Sequence, residues 1–240
     1  MRLKIVLRTD KPHAFTQDYN EALTALIYRL ITDSDKTFGE ELHSKGYRQL
    51  GKKRFNFFTY SRLMTENKEW LDKYIPSGNI VWYFSSLIDD ITIHFAKGLQ
   101  RQKYLQIYQF KPVLREISII KDAPNFAKGA IFTTLSPVVM TLRVEDGYTK
   151  FLKPEMMITK LKTNLIQKYY TAFNAVPYNL NLQIQFLDFT DMSIKYKNST
   201  IHSYRAHIAM TGSAELIRIA YECGLGCKNS QGFGMLGLEM

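Results

Sequence analysis

An α+β chain built from two β-α-β-β-α-β units in tandem is predicted by three observations. The order of extended and helical patterns runs through once in the first half of the 240 residues and again in the second. The segment LNLQIQF alternates almost perfectly, with Leu180, Leu182, Ile184 and Phe186 on one side and Asn181, Gln183 and Gln185 on the other, as a half-buried strand requires. Hydrophobic residues make up 45% and charged residues 22%, enough apolar material for a real core and ordinary for a globular protein.

In the first half, a strand is expected from Leu3 to Arg8 and a helix from Tyr19 to Ile31. Leu23, Leu26, Ile27, Leu30 and Ile31 fall on one face of that helix. A short helical piece follows over Gly39 to His43. Two β-rich segments, Phe55 to Leu63 and Asn79 to Leu87, are separated by a polar stretch ending in Pro76-Ser77-Gly78. Ile88 to Leu99 reads as helix and Gln106 to Ile120 as extended chain despite Pro112. In the second half, Gly129 to Arg143 is β-rich with a break at Ser136-Pro137, and Pro154 to Phe173 is helical. After LNLQIQF, Tyr204 to Met210 is a strand, Ser213 to Cys223 a helix and Met235 to Met240 a final strand. Ser213 is placed as an N-cap, Leu216, Ile219, Ala220 and Cys223 form the apolar face, and Gly224 is placed to end the helix in a left-handed conformation. This order describes two tandem ferredoxin-like (RRM-like) domains, 1–121 and 122–240, meeting near Asp122 to Gly129. The fold hosts many functions and by itself assigns none.

Charge narrows the field. Thirty-two Lys and Arg against 22 Asp and Glu leave a net charge of +10, which favours a polyanionic partner, nucleic acid first and an acidic membrane surface second. Cys223 and Cys227 are too few for a disulfide framework and lack the companions of a zinc site, so they read as reduced thiols. MRLKIVLRTDK carries a lysine inside its apolar run and no small-residue cleavage site, and no apolar stretch approaches membrane-spanning length. The expectation is a soluble cytoplasmic protein without a membrane partner.

The stretch GLGCKNSQGFGML, Gly224 to Leu236, concentrates glycines around Lys228. It is not a Walker A loop, because Lys228 follows Cys227 and precedes Asn229, nor a dinucleotide fingerprint, because the residue three after Gly226 is Asn229. Both of those loops also run from strand to helix, whereas this one runs from helix to strand. QGFGMLGL approximates an RNA-recognition signature, but Met235 and Leu238 stand where aromatic residues belong. A turn-forming connector is one reading. Free backbone N–H groups beside Lys228, suited to an anionic backbone, are the other. On the second, a β-branched residue at Gly232 or Gly234 weakens RNA binding while the fold survives.

GLGCKNSQGFGML at the end of two such units closely resembles the C-terminal glycine-rich motif of the repeat-associated RAMP proteins, and among them the CRISPR repeat-RNA processing endoribonucleases. The similarity extends through the LRTDK opening, LTALIYRLI, the LH of EELHSKG, FFTYSRL and TTLSPVVMTL. It implies a ribonuclease that works without metal or cofactor, cuts CRISPR precursor transcripts within each repeat, and leaves 5′-hydroxyl and 2′,3′-cyclic phosphate ends. The family site combines a tyrosine on the first helix, a histidine shortly after it and a lysine further on. Those places fall on Tyr28, His43 and Lys52. The stretch Lys45 to Arg54 is longer than the family pattern, so Lys53 competes with Lys52 and Lys45 stands third. Repeat RNA is the implied partner, contacted by Lys45, Arg48, Lys53, Arg54, Gly224, Gly226, Lys228, Gly232, Phe233 and Gly234; a CRISPR effector complex and a homodimer stay open. The competing function is a noncatalytic repeat-RNA binding subunit of such a complex.

The chemistry suits these residue types. RNA carries its own nucleophile, the 2′-hydroxyl, so cleavage needs in-line positioning, an acid, a base and charge stabilisation. Histidine exchanges protons near neutral pH, lysine stabilises charge on phosphorus, and a tyrosine hydroxyl orients or protonates an oxygen. At about 100° per residue, Tyr28 lies roughly 130° from the centre of its helix's apolar stripe and points away from that core. Simpler roles remain: Tyr28 as interdomain packing, His43 as a helix-end residue bonded to backbone, the lysines as phosphate contacts without catalysis. His202 and His207, five apart on one strand, make a poor metal pair; His94 reads as packed or capped, and His13 as a loop residue. Asp89-Asp90 and Glu40-Glu41 read as solvated helix surface.

Overall fold

The computed structural model describes residues 1–48, 53–120, 124–143 and 149–239. Both halves are mixed α+β, each with its own sheet. The first contains β1 (Arg2–Thr9), α1 (Asn20–Ser34), α2 (Lys36–Ser44), β2 (Phe58–Tyr60), β3 (Gly78–Ser86), α3 (Asp89–Gln100) and β4 (Val113–Ile120). Its antiparallel sheet has the order β2-β3-β1-β4. The second contains β5 (Ala130–Thr134), α4 (Pro154–Phe173), β6 (Leu182–Tyr196), β7 (Ser199–Gly212), α5 (Ala214–Cys223) and β8 (Leu236–Leu238). Its sheet has the order β6-β7-β5-β8, the same arrangement repeated.

Local sequence accounts for the helix boundaries. The apolar stripe of α1 is buried throughout, against β1, β3 and α3 residues such as Ile5, Trp82 and Phe95. Asp35 then stops α1 and starts α2: its backbone is extended and its carboxylate accepts the Phe38 N–H at 2.9 Å. The helical piece expected at Gly39 to His43 is therefore a complete helix from Lys36. Pro154 occupies the first turn of α4, where its missing N–H costs nothing, and Ser213 caps α5 through the Leu216 N–H. Leu216, Ile219, Ala220 and Cys223 are buried as the pattern requires.

Several expectations need correction. The run Phe55 to Leu63 is not one strand. Phe57 takes φ of 52° and turns the chain, so Phe58–Tyr60 joins the sheet while Arg54–Phe55 forms a separate short ladder with Tyr47–Arg48. Of Gln106 to Ile120, only Val113 onward is strand. Tyr108 at φ of 52° closes a tight turn in which Ile107 and Phe110 exchange backbone hydrogen bonds. Leu180 lies outside β6 and is 52% exposed. The hairpin of β6 and β7 extends far past LNLQIQF and Tyr204 to Met210, turning at Lys197 with φ of 52°. Gly224 has a positive φ of 89° but ψ of 152°, so it ends α5 by leaving in extended backbone, not by the left-handed helical conformation.

The halves are joined by polar contacts as well as packing. Arg2 of β1 reaches across to donate to the Tyr221 carbonyl at 2.7 Å and the Leu236 carbonyl at 2.9 Å, with its guanidinium 3.6 Å from the Tyr221 ring centre. Thr59 donates to the Phe233 carbonyl at 3.1 Å, and Asn20 to the Gly232 carbonyl at 3.2 Å. The glycine-rich loop is thus seated directly on α1 and β2.

Candidate functional site

The break at Asp35 folds α2 back along α1, so that its last turn returns to the middle of α1. There the His43 ring meets the Tyr28 ring edge-on, with centroids 4.8 Å apart and planes at 83°. Tyr28 does turn away from the centre of the stripe, yet its ring edge still packs on buried Phe58, leaving it half-buried at the rim of the first core. His43 is exposed. Arg54 fixes the end of α2 by donating to the Ser44 carbonyl at 2.9 Å and the His43 carbonyl at 3.3 Å, where helix carbonyls lack partners and the dipole is negative.

Beside this pair a cleft of about 230 Å³ opens between residues 53–58, α4 and the glycine-rich loop. Asn56 donates from Nδ2 to the Tyr28 hydroxyl and to Ser230 Oγ at 3.3 Å, so the first half and the loop meet at one amide nitrogen. Lys53 Nζ donates to Gln167 Oε1 at 2.9 Å. With its amide set to satisfy both neighbours, Asn164 accepts from Lys53 Nζ at 3.0 Å and donates to the Gly226 carbonyl at 2.8 Å. Lys168, fully enclosed, donates to the Gly224 carbonyl at 2.6 Å and to Asn229 Oδ1 at 2.7 Å. Asn229 in turn donates to the Leu225 and Phe233 carbonyls, tying the two ends of the loop together.

Burial raises the pKa of Tyr28 above the ordinary tyrosine value, against hydrogen bonds from Ser230 and Asn56 and the charge of Arg54, which pull it down. The phenol therefore stays protonated at neutral pH. Lys53 still reaches solvent, but partial desolvation and then the neighbouring Lys160 lower its pKa, with Cys227 opposing. Burial lowers that of Lys168 and pushes the Cys223 thiol up to about 11.

The expected free N–H groups of the loop are mostly engaged. Gly224 donates to Ala220, Leu225 to Gly234, Cys227 to Val139, Gly232 to Asn229 and Gly234 to Pro137. Phe233 is fully buried beside Val139, Ile194, Tyr196 and Ile201, so as the loop stands it cannot stack on a base. The glycines shape the loop. Gly234 has φ of +75°, and a Cβ there would lie 2.0 Å from the Leu225 carbonyl oxygen; one on Gly232, at φ of +83°, would lie 2.6 Å from the Tyr60 ring. The expectation that β-branched residues spare the fold is therefore reversed. Gly234→Val is expected to cost about 2 kcal/mol or more and to lower the thermal midpoint by roughly 4–8 °C in calorimetry. An unchanged midpoint would mean that the loop relaxes freely.

The remaining candidates divide. Gly226 is buried in the loop, and Lys228 is half-buried at its bend with φ of 60°. Lys45 pairs with Glu41 at 2.8 Å on α2, and Arg48 sits exposed on the short ladder opposite Arg54. Lys52 lies outside the described residues. Away from the cleft, His94 bonds Ser34 and stacks on Phe38, His13 stacks on Phe110, His202 bonds Ser193, and His207 pairs with Asp188. Glu40 and Glu41 pair along α2 with Lys36 and Lys45, and Asp89 with the N-terminal ammonium.

Sequence reasoning passed over Asn56, Asn164, Lys168 and Ser230. Two of them left a signal. Met157, Leu161, Asn164, Leu165 and Lys168 share the buried face of α4, and an amide and an amine inside an apolar stripe must be paired with something. Asn56 interrupts the aromatic run FNFF, and Ser230 had no distinguishing context.

Comparison with known proteins agrees with this architecture from end to end. Residues 15–118 match the family model described as CRISPR-associated protein Cas6, N-terminal, and residues 121–238 the model for CRISPR associated protein Cas6, C-terminal. The chain is 27% identical to CRISPR-associated endoribonuclease Cas6 1 of Methanocaldococcus jannaschii, over 98% of this chain and 92% of that protein. It is 28% identical to CRISPR-associated endoribonuclease Cas6 of Pyrococcus furiosus, over 96% and 86%. A solved structure described as a RAMP protein binding different RNA substrates superposes with a TM-score of 0.84 at 26% identity, covering the whole of both chains. With both of its halves matched in order, the chain belongs to the Cas6 family of CRISPR-associated proteins.

Proposed function

We propose that this chain is an endoribonuclease that cuts CRISPR precursor transcripts within their repeats, without metal, by attack of a 2′-hydroxyl on the adjacent phosphate. The contact of His43 with Tyr28, linked through Asn56 to a lysine-lined cleft, carries the reading. The endoribonuclease names of the relatives and the net charge of +10 support it. We take residues 1–121 and 122–240 as two ferredoxin-like domains, in keeping with the 2-3-1-4 strand order of each sheet.

In this mechanism the 2′-oxygen forms a bond to phosphorus as the bond from phosphorus to the 5′-oxygen breaks. The 2′-proton goes to a base and the departing 5′-oxygen receives a proton. The products are a 2′,3′-cyclic phosphate and a 5′-hydroxyl. His43 is the proton-transfer group, since it is exposed where a substrate can reach it. Tyr28, held neutral, donates a hydrogen bond that orients a phosphate or leaving oxygen. A lysine, Lys53 or the competing Lys52, offsets the charge gathered on phosphorus, and partial desolvation at Lys53 strengthens that attraction. Lys228, Lys45 and Arg48 add cationic contacts to the strand, while Arg54 supports the end of α2. Gly224, Gly226, Gly232, Phe233 and Gly234 serve binding indirectly, through the shape of the loop.

Incubating the chain with its own repeat RNA in EDTA tests the reading. Two fragments are expected, the downstream one ending in a 5′-hydroxyl and the upstream one in a cyclic phosphate. Tight binding without fragments would instead support a noncatalytic repeat-RNA subunit.

A further inference from the structure

The glycine-rich loop approaches Tyr28 through Ser230. Ser230, at the tip of the loop, faces Asn56 from the opposite half of the molecule, and the two converge on the Tyr28 hydroxyl. An amide nitrogen can only donate, so Asn56 Nδ2 occupies a lone pair of the phenol oxygen and leaves the phenol proton for another acceptor. Asn56 Oδ1 is buried near Gly46 with no hydrogen-bond partner among the described residues. A buried amide oxygen left unpaired carries a desolvation cost that packing alone does not repay. The loop itself is held in place by Lys168 through Asn229, so Ser230 is presented from a fixed frame.

We propose that Asn56 and Ser230 are positioning residues that fix the Tyr28 hydroxyl from both sides of the domain boundary, so that the glycine-rich loop acts on the reaction through Tyr28. The inference rests on the endoribonuclease reading above and extends it to two residues that do not themselves exchange protons with RNA. It also gives the loop a task that its buried glycines and occupied N–H groups permit.

The test is a double-mutant cycle on single-turnover cleavage of repeat RNA, with binding measured in parallel. Asn56→Ala and Ser230→Ala are each expected to slow cleavage by about 10- to 100-fold, as misplacement of a reacting group does, while RNA affinity changes by less than about threefold. Ser230→Thr, which keeps the hydroxyl, is expected to restore most of the rate. In a Tyr28→Phe background the Asn56→Ala effect is expected to shrink to about twofold or less, because the group it positions is gone. Equal slowing in both backgrounds would assign Asn56 a merely structural role and overturn the proposal. So would a normal rate in both alanine variants. In a chain labelled at tyrosine Cζ, the Tyr28 resonance, identified by its loss in Tyr28→Phe, is expected to move in both variants; an unmoved resonance would overturn the contact itself. If wild-type chain binds repeat RNA and never cuts it, the endoribonuclease reading fails and this inference fails with it. If wild type cuts, Tyr28→Phe slows the reaction and Asn56→Ala does not, only the inference fails.

Discussion

Replacing the 2′-hydroxyl immediately upstream of the cut with hydrogen is expected to abolish cleavage and leave binding to the chain intact. The substitution removes the nucleophile, so no arrangement of His43, Tyr28 and lysine can restore the internal transfer. Binding survives because the charge surplus of +10 acts on the phosphate backbone, which the deoxy substrate retains. The comparison is made at enzyme excess, with the single deoxy position against an all-ribose control and product release excluded from the rate. Cleavage of the deoxy substrate at the control rate, or activity that disappears in EDTA, would point to a metal-activated water and remove the proposed mechanism. The outcome does not depend on which lysine faces phosphorus, which makes it the most direct test of the reaction class.

The features most legible in the sequence are those set by local periodicity. The α1 stripe, Pro154 at the start of α4 and Ser213 at the start of α5 each combine a repeating apolar face or a capping residue with a defined physical role, and each stands where expected. Places where one residue changes the chain's direction were hidden. Phe57, Tyr108 and Lys197 all take positive φ without being glycine, and periodicity carries no information about a single residue forced into that region by its surroundings. Phe57 and Tyr108 divide segments expected to be continuous, and Lys197 turns a hairpin longer than the pattern showed. The site shows the same split. Tyr28 stands seven residues before Asp35 and His43 eight after it, on either side of an ordinary helix break, and the angular position of Tyr28 on α1 placed it off the centre of the stripe. The contacts that organise them come from far along the chain: Asn56 from a broken strand, Ser230 from the loop and Lys168 from α4. No periodic pattern links positions that meet only when two domains pack. The glycines were visible but their use was not, since a positive φ and a 2.0 Å approach to a carbonyl look the same in sequence as backbone bared for a ligand.

His43→Ala is expected to slow single-turnover cleavage by about 10² to 10⁴ with little loss of RNA affinity. His43 is exposed on the last turn of α2, so its truncation leaves no cavity in the core, and the fold loses one edge contact with the Tyr28 ring. The two ends of α2 are held by other groups, Asp35 at the first turn and Arg54 at the last, both through bonds that do not involve the imidazole. A large rate effect would thus report on chemistry and not on helix stability. Tyr28 is an unsuitable substitute base, because burial keeps its phenol protonated at neutral pH, and raising the pH enough to ionise it would be needed before it could accept a proton. Lys53 is the nearer alternative, since desolvation lowers its pKa and increases the fraction of neutral amine available at a given pH. If His43→Ala cuts at the wild-type rate, the proton-transfer role moves to that lysine or its neighbour Lys52, and the endoribonuclease reading survives with a different base. If His43→Ala is slow and Lys53→Ala is also slow at unchanged affinity, the histidine moves the proton and the ammonium neutralises the phosphate.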